Sequence, residues 1–255
     1  DGPGAPPVLL PGPDGRSAYE IASPGDGTRL VIRRVEATAN GLDTTERSIP
    51  LRAPLAGTPA LTDKMMILPL ANGFLARLDL PLAANPTLIE GPNWRSRRAP
   101  PDARGRVTAL GPDSFLVGDG ARGLTHLHWA APKDWNSLPA GKSPEKPTFE
   151  WKEGSLAADP VLLPETKGLP RRVCIADVTG GVALLTVADG GGLKPGRHWD
   201  VGGAVTAGPF IETMPGGATR IGCVVNDRVL VWIDPEKDGK DGVLWKHLSE
   251  SGADI

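Results

Sequence analysis

One pattern of about 50 residues occurs five times along the sequence, and this repeat limits the possible fold more than any other feature. Each copy opens with a short apolar run that begins at Pro or Thr. These opening runs are residues 7–11, 59–63, 108–112, 160–164 and 209–212. The first and fourth runs are identical, Pro-Val-Leu-Leu-Pro, which argues against a chance similarity. A period of this length predicts a repeat protein in which every copy forms one small structural unit.

Each copy holds four short apolar runs, and the last copy shows them best. Its runs are residues 209–211, 221–225, 229–233 and 243–245. They are rich in Val, Ile, Leu and Trp and are bounded by Asn, Asp, Gly or Pro, which is typical of strands in an antiparallel meander. Such a sheet has two apolar faces and cannot cover both by itself. It therefore needs sheets like itself on either side.

The other copies repeat these runs in the same order. Second runs lie at 19–22, 65–70, 115–117, 173–178 and 221–225. Third runs lie at 28–35, 73–80, 122–129, 180–187 and 227–234, and their third position is always Leu or Val. Fourth runs are weaker, at 47–51, 86–90, 149–151, 197–200 and 244–247. Pro50 suits such a run if it is the outer strand of its sheet. Only residues 132–142 are compatible with a turn of helix.

The predicted fold is an all-β propeller of five four-stranded antiparallel blades with little or no helix. Residues 1–255 are expected to form a single domain, with blades at about 5–54, 55–104, 105–154, 155–203 and 204–251. We expect the blades to close into a ring, and the protein to be a monomer. The alternative is an open arc that needs a second chain, because its terminal blades would expose apolar faces.

Composition argues against several classes of partner. The formal net charge of −2 and the pI near 6.1 give no overall field that would attract nucleic acid or an anionic membrane. No run approaches the roughly 18 apolar residues of a membrane-spanning helix. The start at Asp1, without Met or a basic segment, is typical of a mature or trimmed N-terminus.

Both cysteines, Cys174 and Cys223, fall in second runs. Free cysteine behaves as a small apolar residue and is often buried, so we expect both thiols to fill space between sheets. A disulfide between adjacent blades is the alternative. Strands of packed sheets usually lie too far apart for such a bond.

Residues 232–245 resemble a known repeat. Trp-Ile-Asp-Pro at 232–235, Asp-Gly at 238–239 and Gly-Val-Leu-Trp at 242–245 are similar to the Ala-Leu-Asp…Thr-Gly-Lys-Val-Leu-Trp pattern of pyrroloquinoline-quinone-like propeller repeats. This superfamily contains quinoprotein alcohol dehydrogenases and outer-membrane assembly propellers such as BamB. The resemblance implies a module of a bacterial multi-domain or envelope protein, located in the periplasm or cell envelope. It does not imply a quinone cofactor, since the adjacent cysteines of the quinone enzymes do not occur in this sequence.

The strongest candidate for a binding surface is the connection into the third copy. Its candidate residues are one tryptophan and five arginines, namely Trp94, Arg95, Arg97, Arg98, Arg104 and Arg106. Guanidinium groups on a loop can hold a carboxylate or a phosphate, and an exposed indole adds a flat apolar contact. We predict that these residues, joined by Trp135 of the 130–147 insertion, bind a protein partner. The alternative is a solvated loop whose tryptophan is tucked against a blade.

A second hypothesis is an enzyme that acts on a sugar or alcohol in the propeller channel. Carboxylates follow each opening run, at Asp14, Asp63, Asp113, Glu165 and Glu212. Paired carboxylates are the groups that glycoside hydrolysis needs. Because their offsets from the opening runs differ, we interpret them as turn residues.

Other patterns favour structure over chemistry. His126 and His128 alternate on one strand, as metal ligands could, but no acidic or cysteine partner lies at a matching offset. The stretch with Asp234, Asp238 and Asp241 misses the spacing of a calcium loop. We therefore predict no metal, no cofactor and no catalysis. The favoured interpretation is a non-enzymatic scaffold for protein–protein interaction, with function in its loops.

Overall fold

The computed structural model describes residues 7–25, 27–129, 148–152, 154–166, 168–188 and 192–248. These residues form five four-stranded sheets, and in every sheet the strands lie side by side in the order of the sequence. The sheets make a five-bladed β-propeller, so the predicted fold class is confirmed. One helix of four residues is the only helical element of the described part.

The first two sheets belong to one compact unit of the chain. The first sheet contains β1 (Val8–Pro11), β2 (Ser17–Ala22), β3 (Arg29–Thr38) and β4 (Gly41–Pro50). The second contains β5 (Ala60–Leu61), β6 (Met65–Pro69), β7 (Phe74–Asp79) and β8 (Ile89–Asn93). Pro50 is the last residue of the outer strand β4, a position where the missing N–H costs no ladder bond.

The last two sheets belong to a second compact unit. The fourth sheet contains β13 (Val161–Leu162), β14 (Arg172–Ala176), β15 (Gly181–Val187) and β16 (Leu193–Asp200). The fifth contains β17 (Val205–Thr213), β18 (Thr219–Val225), β19 (Val229–Ile233) and β20 (Val243–Leu248), with the helix α1 (Gly239–Gly242) before β20. Strands β18 and β19 are joined at Asn226 and Asp227, which both have positive φ, as a tight two-residue hairpin turn requires.

The third sheet contains β9 (Arg106–Gly111), β10 (Ser114–Gly118), β11 (Gly123–His128) and β12 (Phe149–Glu150). Strand β9 belongs to the first unit and β12 to the second, while β10 and β11 have residues in both. The expectation of a single domain over residues 1–255 stays a prediction.

Within the first unit, the apolar faces of the first two sheets pack against each other. Tyr19 and Ile21 alternate with half-buried residues along β2, and Leu30 and Ile32 do so along β3. The second sheet contributes Met66, Leu68, Ala76 and Leu78 to the same core. Each large side chain buried in this way stabilises the fold by about 1.5–3 kcal/mol.

Within the second unit, a similar core lies between the fourth and fifth sheets. Cys174 and Cys223 are both fully buried there, and they form no disulfide. Burial raises the pKa of the Cys174 thiol, so that thiol stays neutral at physiological pH. The expectation that the cysteines fill space between sheets is confirmed.

Asp177 is a fully buried carboxylate in the turn between β14 and β15. One carboxylate oxygen accepts a hydrogen bond of 2.7 Å from the indole of Trp151, which follows β12. The other accepts bonds from the Thr179 N–H, the Thr179 hydroxyl and the Gly181 N–H. Burial alone would raise the pKa of Asp177, but these hydrogen bonds hold it below its usual value. The Trp151–Asp177 bond therefore ties the third sheet to the fourth.

A second indole ties the fourth sheet to the fifth. Trp199 of β16 is fully buried, and its N–H donates to the Lys237 carbonyl at 2.9 Å. A Cβ atom on Gly242 would come within 2.1 Å of the indole nitrogen. The close approach of the chain to this indole therefore requires glycine at 242.

One predicted strand is displaced. The fourth run of the second copy is expected at 86–90, but β8 begins at Ile89 and ends at Asn93. Pairing with β7 begins at Ile89, and a register shift between Phe74 and Ala76 carries the strand past Pro92 to Asn93. Asn93 is consequently a strand residue. Helix α1 lies between the third and fourth runs of the last copy, where no helix is expected, and residues 132–142 lie outside the described residues.

We expect Asp177→Ala to lower the free energy of unfolding by about 3 kcal/mol, because buried donors on Trp151, Thr179 and Gly181 lose a charged acceptor. Asp177→Asn keeps the shape and should cost less. Urea denaturation at neutral pH measures both. Equal stability of the wild type and the two variants would contradict the assigned role.

The effect of Asp177→Asn should also depend on pH. A lowered pKa in the folded state means that the carboxylate stabilises the fold above its unfolded pKa of about 3.9. This stabilisation is lost as the pH falls through the folded pKa. The difference in unfolding free energy between wild type and Asp177→Asn should therefore shrink below about pH 4. A constant difference down to low pH would contradict the assignment of charge to Asp177.

Candidate functional site

Residues 94–105 connect β8 to β9 and carry most of the predicted binding residues; we name this segment the arginine loop. Its first residue, Trp94, is only 3% exposed. The indole N–H donates to the Leu70 carbonyl at 3.0 Å, and the backbone N–H donates to the Gly73 carbonyl at 2.8 Å. Both acceptors lie in the turn between β6 and β7. The arginine loop therefore leaves its sheet from a fixed point.

Gly105 fixes the other end of the arginine loop. Its N–H donates to the Ala56 carbonyl at 2.9 Å. A Cβ atom on Gly105 would come within 2.4 Å of Pro69 and 3.0 Å of the Trp94 ring. Only glycine lets the backbone pass so close to this ring. Both ends of the arginine loop are thus held at the same buried indole.

Arg95 folds the arginine loop back on itself. Its backbone N–H donates to the side-chain oxygen of Asn93 at 2.8 Å, and its guanidinium donates to the Pro101 carbonyl. The side chain is half-buried. Arg95 therefore holds the shape of the arginine loop, and its charge is partly withdrawn from the surface.

Three arginines of the loop are exposed: Arg97, Arg98 and Arg104. Arg98 forms an ion pair of 3.0 Å with Glu150 of β12, and both side chains are more than half exposed, so the pair is weak. Arg97 and Arg104 form no hydrogen bond or ion pair with the residues that the structure describes. The single acidic residue of the loop is Asp102. The arginine loop therefore presents an excess of positive charge.

The structure corrects the expected role of Trp94 and leaves the others as predictions. Burial removes the Trp94 ring from any surface that a partner could touch, because its N–H binds Leu70 and its ring packs on Gly105. The tryptophan is tucked against a blade, as the alternative expected, while binding of a partner by the loop stays a prediction. Arg106 is half-buried at the start of β9. Trp135 lies outside the described residues.

Two residues that shape the arginine loop are absent from the sequence-based prediction. Asn93 accepts a hydrogen bond from the N–H two residues later, which is a common turn of Asn and Asp. Gly105 stands directly before a strand, where a close backbone approach is required. An Asn two residues before the first arginine is a local sequence feature that indicates such a turn. No local sequence feature indicates the contact of Gly105 with Trp94.

Three of the five carboxylates considered for an enzyme hold a turn or an ion pair: Asp14, Asp113 and Glu165. Asp14 accepts hydrogen bonds from the Arg16 N–H and from the hydroxyl and N–H of Ser17, and these lower its pKa to about 2. Two others form ion pairs of 2.9 Å: Asp113 with Lys64, and Glu165 with Arg171. Asp63 also lies in the short connection between β5 and β6, whereas Glu212 lies within strand β17 and is paired with Arg220, so the interpretation as a turn residue is wrong for Glu212.

The histidines act as strand residues. His126 donates its backbone N–H to the Thr148 hydroxyl at 3.0 Å. The His198 ring lies edge-on to Trp151, with ring centroids 5.7 Å apart. Within the described ranges, no three His, Cys, Asp or Glu side chains are grouped closely enough to hold a metal ion.

Comparison with known proteins supports the fold alone. No protein-family model and no curated protein matches the sequence. A chain in a crystal structure of the mitotic checkpoint complex is similar to this one, with a TM-score of 0.58 and 10% sequence identity over 94% of this chain. This chain spans 63% of that chain. The likeness supports a β-propeller and assigns no family.

In the part of the chain that the structure describes, no helix has the length and hydrophobicity needed to cross a membrane.

Replacing Trp94 tests whether it is structural. Trp94→Phe keeps an aromatic ring but removes the N–H that binds Leu70, so we expect the free energy of unfolding to fall by about 1 kcal/mol. The arginine loop should also be cut faster by trypsin, since one end is released.

Gly105→Ala should lower the free energy of unfolding by about 1–3 kcal/mol, because the added Cβ overlaps Pro69. Unchanged stability and trypsin sensitivity in both variants would contradict this account.

Proposed function

We propose that the protein is a non-enzymatic scaffold that binds an acidic segment of a partner protein on its arginine loop. The observation that carries this proposal is the exposure of Arg97 and Arg104, without intramolecular partners in the described residues, between two fixed ends. Because Trp94 and Gly105 already hold the backbone, binding orders few additional groups. Rigid presentation of this kind favours recognition by preformed contacts.

A protein ligand fits this surface better than a nucleic acid. Planar guanidinium groups match the geometry of carboxylates, and paired contacts of this kind give specificity. Binding of single-stranded nucleic acid depends on exposed rings for base stacking, whereas the described tryptophan of the loop is buried. The overall charge of −2 also repels a long polyanion.

We further propose that the chain belongs to the pyrroloquinoline-quinone-like repeat family and works in the periplasm or envelope of a bacterium. Residues 232–245 support this proposal. The Asp234 N–H donates to the Gly242 carbonyl at 2.7 Å, and Trp232 is paired in register with Trp245 between β19 and β20, so the backbone brings the two ends of the pattern side by side. Fractionation of the source cells tests the location, and a cytoplasmic protein would contradict it.

Charge reversal on the arginine loop tests the proposed function. The probe is a fluorescent peptide rich in Glu and Asp, and binding is followed by fluorescence anisotropy at low salt. Arg97→Glu/Arg104→Glu should weaken peptide binding about tenfold or more, since two attractive contacts become repulsive. The affinity of the wild type should also fall as salt is added.

A matched control carries the same charge change elsewhere. Arg16→Glu/Arg29→Glu alters two other exposed arginines of the first unit, and peptide binding should stay close to that of the wild type. Urea denaturation should give the same stability for the loop variant and the wild type. Equal loss of binding in both double variants would contradict the proposal, as would tighter binding of a thymidine oligonucleotide than of the peptide.

A further inference from the structure

Strand β4 is the outer strand of the first sheet and pairs only with β3. The two strands match over ten residue pairs, from Arg29–Pro50 to Thr38–Gly41, without any irregularity. Half of the backbone N–H and C=O groups of β4 therefore point away from the sheet along a straight edge.

The outer strands of the other sheets are interrupted or short. Strand β8 has a register shift and contains Pro92, and β16 has a register shift and contains Pro195. Strand β20 also has a register shift, and β12 has two residues. Bulges, prolines and shortness are the features that stop a sheet edge from pairing with another chain. Within the described sheets, β4 alone combines length with regular pairing.

The side chains of β4 leave its edge accessible. All residues from Gly41 to Glu46 are exposed, and Leu42 has 75% of its surface in solvent. Thr44 and Thr45 in the middle of the strand favour β structure. The charged residues are Asp43, Glu46 and Arg47.

We propose that β4 pairs with β4 of a second copy of this chain, antiparallel and about a two-fold axis. Residues that face each other in an antiparallel pair point to the same side of the sheet. Under two-fold symmetry, a residue can thus face itself or a residue an even number of positions away. Arg47 can face Asp43 of the second copy, but it cannot face Glu46.

Only one register of the two β4 strands places residues of opposite charge opposite each other. With Thr45 facing Thr45 of the second copy, Asp43 and Arg47 face each other at both ends of the contact. The two hydroxyls and the two opposite-charge pairs are favourable cross-strand neighbours. Pro50, which has no N–H, falls just outside the paired segment. Arg47 has a nitrogen to spare, since its bonds to Ala83 and Glu46 use the other two.

The neighbouring registers are poorer. In the register where Glu46 faces Glu46 of the second copy, two like charges lie opposite each other. Pro50 also enters the ladder there, and its missing N–H removes a hydrogen bond. In the register where Thr44 faces Thr44 of the second copy, Arg47 faces Gly41, and no residues of opposite charge face each other. Strand β4 is thus self-complementary in a single register.

This contact is separate from the arginine loop and from closure of the propeller. The monomer expected for a closed ring is the state at low concentration, and the dimer through β4 forms as concentration rises. An open arc would instead associate through apolar side chains of its terminal blades, and Phe210 of β17 is an exposed apolar residue of the last blade.

Sedimentation velocity of the full chain over a range of concentrations tests the proposal. The wild type should form a reversible dimer. Asp43→Arg and Arg47→Asp each turn two attractive pairs into repulsive ones, so each should raise the dimer dissociation constant about tenfold or more. We expect Asp43→Arg to leave its own hairpin folded, because Asp43 is paired with Glu36 there and the change replaces two like charges with opposite ones.

An equimolar mixture of the two variants provides the decisive control. In a mixed dimer the introduced arginine faces the introduced aspartate, and the unchanged Arg47 faces the unchanged Asp43. The mixture should therefore recover the dimer of the wild type, which also shows that both variants fold. Phe210→Ser should leave the dimer unchanged. A monomeric wild type at all concentrations, no recovery in the mixture, or a dimer lost only in Phe210→Ser would overturn the proposal.

Discussion

The sheets of this chain have apolar faces, and the structure depends on covering these faces with the face of a neighbouring sheet. In the first unit, the first two sheets pack against each other. In the second unit, the fourth and fifth sheets do the same. Apolar burial at roughly 25 cal/mol per Å² is the main favourable term in such packing. It explains why all five residues of β6, an inner strand, are buried, whereas β4 at an outer edge is almost wholly exposed.

Buried indoles give this packing a fixed geometry. Trp94, Trp151 and Trp199 each bury the ring and donate the N–H to an acceptor in a connecting segment. An N–H left without a partner at these places would be costly, so the connecting segments are held where they can accept it. In the first unit, a tryptophan of the core anchors the arginine loop, whose Arg97 and Arg104 face solvent.

The repeat and the order of its strands were predictable, because period-two burial and turn residues are local signals. Leu30, Leu75, Leu124 and Val182 are buried as the third position of the third run requires, whereas Val229 of the fifth copy is half-buried; Asn226 forms a turn. The site was less predictable. The burial of Trp94 depends on its contact with Gly105, which lies eleven residues later in the sequence. No local pattern indicates this contact. Asp177 has the local sequence of an ordinary turn residue, and no local pattern indicates that the indole of Trp151 donates to it. The regularity of β4 depends on its register with β3, and composition does not reveal it.

Hydrogen exchange resolved to individual amides measures the central claim, that packed sheets hold both ends of an otherwise accessible arginine loop. The account predicts slow exchange for the N–H groups of Trp94 and Gly105, which bind Gly73 and Ala56, and for the buried strands β6 and β7. The amides of Arg97 and Arg104 should exchange fast. Fast exchange at Trp94 and Gly105, or protection as strong at Arg97 as in β6, would contradict the account.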